Sequence, residues 1–118
     1  MRVLLADSSQ EVRSALRLHL EQEPGIVIVG EVTEAGEILA QVAIACPDVV
    51  LIDCGLPGLK AEEIVPALHS QFPHLLVIAL CRRPEMRQAA LAAGADAFVS
   101  KGDLPESLLA TIKKAHSN

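Results

Sequence analysis

Four apolar runs in this 118-residue chain end on side chains that can do chemistry. Residues 3–6 (VLLA) run into Asp7 and Ser8, 49–52 (VVLI) into Asp53, 75–80 (LLVIAL) into Cys81, and 97–99 (AFV) toward Lys101. If these runs are neighbouring strands, two carboxylates and an ammonium converge on one rim. A pair of carboxylates suits a hard divalent cation such as Mg²⁺, which takes oxygen ligands and keeps several waters. The lysine can hold an anionic oxygen beside them. Singly, each is an ordinary solvated or capping charge; together they favour a phosphoryl or metal site.

The elements that must position these residues are legible as an alternation. With 26–30 (IVIVG) there are five short runs rich in Val, Ile and Leu, nearly continuous in hydrophobicity, as strands covered on both faces are. Between them, apolar residues recur at helical spacing: Val12, Ala15, Leu16, His19 and Leu20; Ile38, Leu39, Val42 and Ala43; Ile64, Val65 and Leu68; Met86, Ala89, Ala90 and Ala93; Leu104, Leu108, Leu109 and Ile112. Ser8-x-x-Glu11 and Asp103-x-x-Glu106 have capping-box spacing. Pro84 and Pro105 suit a first helical turn, Gly94 a helix C-terminus, and Pro47 and Pro73 the ends of helices before a strand. No linker or low-complexity tract interrupts the chain, so residues 1–118 are expected to form one domain. Short connections with strict β–α alternation predict right-handed crossovers and a doubly wound, five-stranded parallel α/β sheet with five helices. In such sheets function collects at the carboxyl ends of the strands.

Composition excludes several classes. A net charge of −5 argues against a chain that grips nucleic acid or an anionic membrane by itself, and the basic pairs Arg82-Arg83 and Lys113-Lys114 are too short to change this. With Phe72 and Phe98 as the only aromatics among Phe, Tyr and Trp, a base-stacking platform is not expected. No run is long enough to span a bilayer, and MRVLLAD reaches an acid too soon for a signal peptide, so a cytoplasmic location is expected. Three cysteines, Cys46, Cys54 and Cys81, lack C-x-x-C spacing and fit neither a disulfide framework nor a zinc site, which leaves them as buried or partly buried thiols. There is no G-x-G-x-x-G, no Walker-type loop and no pocket-lining insertion, so a metabolic enzyme is not expected.

In order along the chain, RVLLAD-x-x-x-x-VR, DVVLID-x-x-LPG, VIAL-x and AGADAFVSK resemble the receiver domain of two-component response regulators over essentially the whole length. The short opening and AGADAFVSK are most similar to receivers that precede a helix-turn-helix of the LuxR type. The resemblance implies a CheY-like fold with strand order 2-1-3-4-5. It implies that Asp53 accepts a phosphoryl group from a phosphohistidine, that Asp7, Asp53 and the Gly55 carbonyl hold Mg²⁺, and that Lys101 neutralises charge. It implies that Cys81 and Phe98 are the switch positions. The implied partners are a sensor histidine kinase or phosphotransfer protein near the first helix, and an output domain or second copy on the face of helix four, strand five and helix five. Direct nucleic-acid or membrane contact by this domain is not implied, nor catalysis beyond self-phosphorylation and self-dephosphorylation.

The chain departs from the family at two positions. Ser8 stands where a second acid usually ligates the metal, which weakens attraction for a divalent ion; as the N-cap of the first helix it has an ordinary role too. Glu11 is the nearby acid that could restore the charge through water. Cys81 replaces a Ser or Thr whose hydroxyl bonds the phosphoryl oxygen, and a thiol is a weak donor. The distance from Cys81 to Lys101 is also short, which bears on the fourth helix or the loop before it. These departures leave two alternatives to a working phosphoacceptor switch. One is a pseudo-receiver that acts as an interaction module. The other is redox sensing by Cys54 and Cys81, against which stand the strict geometry of disulfides and a reducing compartment.

Overall fold

Aliphatic, largely β-branched runs favour a pleated surface covered on both sides, and each of the five forms a strand. The computed structural model describes residues 1–103 and 105–117, with strands β1 (Arg2–Ala6), β2 (Val27–Val32), β3 (Val49–Asp53), β4 (Leu76–Cys81) and β5 (Ala97–Ser100). They pair in parallel in the order β2-β1-β3-β4-β5, the arrangement of a CheY-like sheet. β3, central and buried at every position, is the strand that carries Asp53. β2 continues past Gly30 to Val32 because its pairing with β1 skips a residue: Val3 faces Ile28 and Leu4 faces Gly30, leaving Val29 as a bulge. A Cβ on Gly30 would lie 2.8 Å from Leu4 Cδ1, so a larger residue there would have to push the buried Leu4 side chain aside.

The helices are α1 (Gln10–Leu20), α2 (Ile38–Ala45), α3 (Ala61–Gln71), α4 (Arg87–Ala92) and α5 (Pro105–Ser117), with 3₁₀ turns at Ala35–Glu37 and Pro84–Met86 leading into α2 and α4. Alternate residues of the strands feed two cores. Leu4, Val50, Ile52 and Val77 pack with Ile38 and Val42 of α2 and Val65 and Leu68 of α3. Val3, Leu5, Leu51, Ile78 and Leu80 pack with Leu20 of α1 and Leu108 and Ile112 of α5. The α4 side is different. Ala79, Cys81 and Ala90 form a small cluster of their own, and a groove of about 500 Å³ separates α3 from α4, floored by Val77 and Ala79 and walled by Ala89, Ala90 and Ala93. α4 has six residues, in keeping with the short Cys81–Lys101 spacing.

Pro84 opens the turn before α4, Pro105 opens α5, and Gly94 adopts φ +109° just past α4. The N-cap of α1 is Ser9, which corrects the expectation for Ser8. Ser9 N–H donates to Asp7 Oδ1 at 2.9 Å, so the chain makes one more turn residue before the helix starts, and Ser9 Oγ accepts from Val12 N–H at 3.3 Å. The carboxylate of Asp103 accepts from Ser100 N–H at 3.3 Å; Leu104, directly before α5, lies outside the described residues. α3 carries Pro66 in its interior, which forfeits one helical hydrogen bond. No helix among the described residues is long and apolar enough to cross a membrane.

α1 is fastened to β2 by Glu31, which meets Arg13 Nε at 2.9 Å and Arg17 Nη2 at 2.6 Å. The hydrogen bond from Arg17, with Arg13 adding to it, holds the Glu31 carboxyl below its ordinary value against the opposing effect of burial, and Glu31 raises Arg17 in return. A depressed carboxylate stabilises the fold fully above its unfolded pKa, and the contribution fades as pH falls through the folded one. Glu31→Gln should therefore cost about 1 kcal/mol or less at neutral pH, since the cluster is partly solvated. The difference from wild type should vanish in acid, as urea unfolding at the two pH values would show; an equal difference at both would contradict the assignment.

Candidate functional site

Parallel strands in this order end together, and the rim at their carboxyl ends gathers what the sequence placed there. Asp7 follows β1, Asp53 closes β3, and Lys101 follows β5. The lysine stem reaches back over the end of β4, so that Nζ lies 2.7 Å from Asp7 Oδ2 and 2.9 Å from Asp53 Oδ1. Its own N–H donates to the Cys81 carbonyl at 2.8 Å, which fixes where the stem begins. Asp7 and Asp53, 3% and 9% exposed, are the buried polar residues among those described. Burial of two carboxylates is tolerable because each is ion-paired and Asp7 also accepts from Ser9 N–H. One cation between two carboxylates leaves the site with a residual negative charge. Arg13 Nη1 donates to the Asp7 carbonyl at 2.6 Å and so anchors the loop from β1 into α1.

Ser8, Asp53, Cys54, Gly55 and Cys81 line a cleft of about 400 Å³ with Arg82 and Arg83 at its edge. A turn closed by Leu56 N–H on the Asp53 carbonyl (3.0 Å) carries Gly55 back beside the acid, where a Cβ would sit 3.5 Å from Asp53 Oδ2. Asp7, Asp53, the Gly55 backbone and the Ser8 hydroxyl are hard oxygen donors, which fit a cation that retains much of its water. Among the described residues no three His, Cys, Asp or Glu side chains group as a metal cage. Glu11 does not join the site. It lines a separate depression with Ser9, Gln10 and Ser14 at the start of α1.

Of the cysteines expected to be buried or partly buried, Cys81 is buried and Cys54 half-buried, whereas Cys46 is exposed. The sulfurs of Cys54 and Cys81 are brought together, with Cα atoms 5.1 Å apart, and Cys46 stands away from both. The cause is register. Asp53 pairs with Leu80 across β3 and β4, and Cys54 N–H donates to the Leu80 carbonyl at 2.9 Å, so the next residues on the two strands face each other. Phe98 is half-buried on β5 and packs against the Ala79–Cys81–Ala90 cluster. Arg82 and Arg83, too short a basic run to bind a polyanion, stand beside the acidic cleft, a place that sequence reasoning does not assign them although they directly follow the strand-end Cys81.

A sequence profile of the response regulator receiver domain matches residues 3–113. The chain belongs to the response regulator receiver family. This receiver is 36% identical over 112 residues to a putative transcriptional regulator of Pseudomonas aeruginosa, covering 92% of this chain and 54% of that one. It is 31% identical over 113 residues to the transcriptional regulatory protein YhcZ of Bacillus subtilis, covering 94% of this chain and 53% of that one. The receiver thus spans about half the length of the curated relatives it matches. Among solved structures, a LuxR-family two-component response regulator of Aurantimonas superposes with a TM-score of 0.90 at 26% identity, covering 98% of this chain and 84% of that one. The response regulator domain of Thermotoga maritima CheB shares the fold, with a TM-score of 0.88 at 24% identity over 100% of this chain and 97% of that one.

Proposed function

We propose that this receiver is a phosphoacceptor switch in which Asp53 takes a phosphoryl group from a phosphohistidine of a sensor kinase or phosphotransfer protein. The observation that carries this reading is the bridge of Lys101 Nζ to both Asp7 and Asp53. A carboxylate attacks a phosphoryl group only when the mutual repulsion is screened, and a buried ammonium beside the nucleophile supplies part of that screening. Lys101 holds Asp53 Oδ1, which leaves Oδ2, on the Gly55 side, as the oxygen that bonds phosphorus while the histidine nitrogen–phosphorus bond breaks. Asp7 orients the ammonium, and Ser9 orients Asp7. Mg²⁺, held by Asp7, Asp53 and the Gly55 carbonyl, would neutralise the transferring oxygens. With Ser8 in place of an acid, its affinity is weakened.

Cys81 and Phe98 are the switch positions, and the face of α4, β5 and α5 passes the change to an output domain or a second copy. Leu91, 37% exposed, is the exposed large apolar side chain of α4. Residues 1–118 act as one receiver unit, and nucleic-acid contact falls to an output domain. A second reading, a pseudo-receiver working by surface contacts alone, draws on the same departures: the missing acid at Ser8 and the thiol in place of a hydroxyl at Cys81. Intact mass after incubation with a small-molecule phosphodonor, with and without Mg²⁺, separates the two. One Mg²⁺-dependent phosphoryl adduct, absent in Asp53→Asn, is the expected result. No adduct under conditions that load an ordinary receiver would leave the pseudo-receiver.

A further inference from the structure

We infer that Cys54 and Cys81 form a reversible dithiol–disulfide couple at the rim of the Asp53 cleft, oxidised by low-molecular-weight disulfides. The parallel register sets the two residues opposite each other, and their Cα separation of 5.1 Å lies within the span of a disulfide. Neither cysteine can drift out of reach, since Cys54 N–H is bonded to the Leu80 carbonyl and the Cys81 carbonyl to Lys101 N–H.

The two sulfurs are unequal in access. Cys81 is 1% exposed, under the Ala90 side of α4, whereas Cys54 is half-buried and opens onto the cleft. Arg82 and Arg83 line that cleft, through which a small disulfide reaches the Cys54 sulfur and not that of Cys81. Cys54 is therefore the attacking residue. Its thiolate bonds one sulfur of a small disulfide and expels the other half as a thiolate. Cys81, deprotonated in turn, attacks the Cys54 sulfur and expels the second half. The two protons lost by the cysteines are taken up by the two departing thiolates, so two protein thiols and one small disulfide become one protein disulfide and two small thiols. Cys46 does not compete, because it precedes β3 while Cys54 follows it, at the opposite end of the strand.

The bond changes what the rim can do. It staples the turn after Asp53 to the end of β4 and removes the side-chain proton Cys81 could donate to a group on Asp53. This last consequence rests on the phosphoacceptor reading; the couple itself does not.

The test equilibrates the protein in mixtures of reduced and oxidised glutathione, quenches with acid, alkylates free thiols after unfolding and reads intact mass. The expected result is one two-electron step, from three alkylated cysteines to one, with a Cys54–Cys81 link in the peptide map. Cys46→Ser should leave the step in place, and Cys54→Ser or Cys81→Ser should remove it. Three alkylated cysteines in every mixture, a link through Cys46, or glutathione adducts that never resolve would each overturn the couple. Phosphodonor loading of the two forms then reads its effect. Several-fold slower adduct formation in the oxidised form is expected, and equal rates would overturn the coupling to Asp53. Asp53→Asn should lose the adduct and keep the thiol step, so failure of the phosphoacceptor reading and failure of the couple give different results.

Discussion

Lys101→Met should lower stability by about 3 kcal/mol, because it strips the shared cation from two carboxylates that remain buried. Both partners of the bridge lie under 10% exposed, with Nζ 2.7 and 2.9 Å away, so solvent replaces the ammonium only in part. The sign of the response to a divalent cation should also be diagnostic. Wild type offers two carboxylates already sharing one positive charge; the variant offers both unneutralised, and so a stronger attraction for Mg²⁺. Added Mg²⁺ should therefore raise the melting temperature of Lys101→Met more than that of wild type, since ligands stabilise the state they bind. Asp53→Asn in the Lys101→Met background should recover part of the loss by removing one of the two opposed charges, a non-additivity that a double-mutant cycle measures. Unchanged melting of Lys101→Met, or no added benefit from Mg²⁺, would contradict this electrostatic account of the site.

Leu51→Ala should be the most damaging change away from the rim, at about 3–4 kcal/mol. Leu51 is 1% exposed in the middle of β3, paired to Leu5 on one side and Ile78 on the other, in the cluster closed by Leu20 and Ile112. Close packing from two strands and two helices leaves little freedom to collapse into the space, so most of the cavity cost persists. For a domain of this size the melting temperature should fall by about 10–15 °C, with the urea midpoint moving in parallel. A loss of under about 1 kcal/mol would mean that the α1–α5 side repacks far more readily than its burial implies.

The parts that were readable in the sequence are those fixed by local pattern. VVLI and LLVIAL announce buried strands because no polar residue interrupts them, and the helical spacing of Val12, Leu16 and Leu20 can serve only one face. Asp7, Asp53 and Lys101 were readable as a group because a parallel sheet delivers all its strand ends to the same rim. What escaped depended on quantities that local pattern does not contain. Ser8 and Ser9 are chemically equal as caps, and the choice falls to Ser9 because Asp7 captures its N–H. The extension of β2 to Val32 needs the bulge at Val29, which only pairing with β1 reveals. The meeting of Cys54 and Cys81 needs the register of β3 on β4, in which each residue faces the one 27 further along. Had that offset been in hand, the pair would have followed by addition.

The thin packing beneath α4 has a consequence for how free energy is distributed in the molecule. Six residues make fewer than two helical turns, too short to persist without tertiary support. Their one buried side chain is Ala90, which meets Ala79 and Cys81, and toward α3 their alanines wall a groove of about 500 Å³, where few atoms stand close enough to attract one another. Displacing α4 therefore breaks little dispersion energy, whereas displacing α1 or α5 would empty a dense aliphatic core. The domain is stiff in its sheet and compliant at one helix, and that helix borders the strand ends that carry Cys81 and Lys101. A modest push at the rim is spent on moving the one element that resists least, so sub-globular opening at α4 costs only a fraction of the free energy of global unfolding.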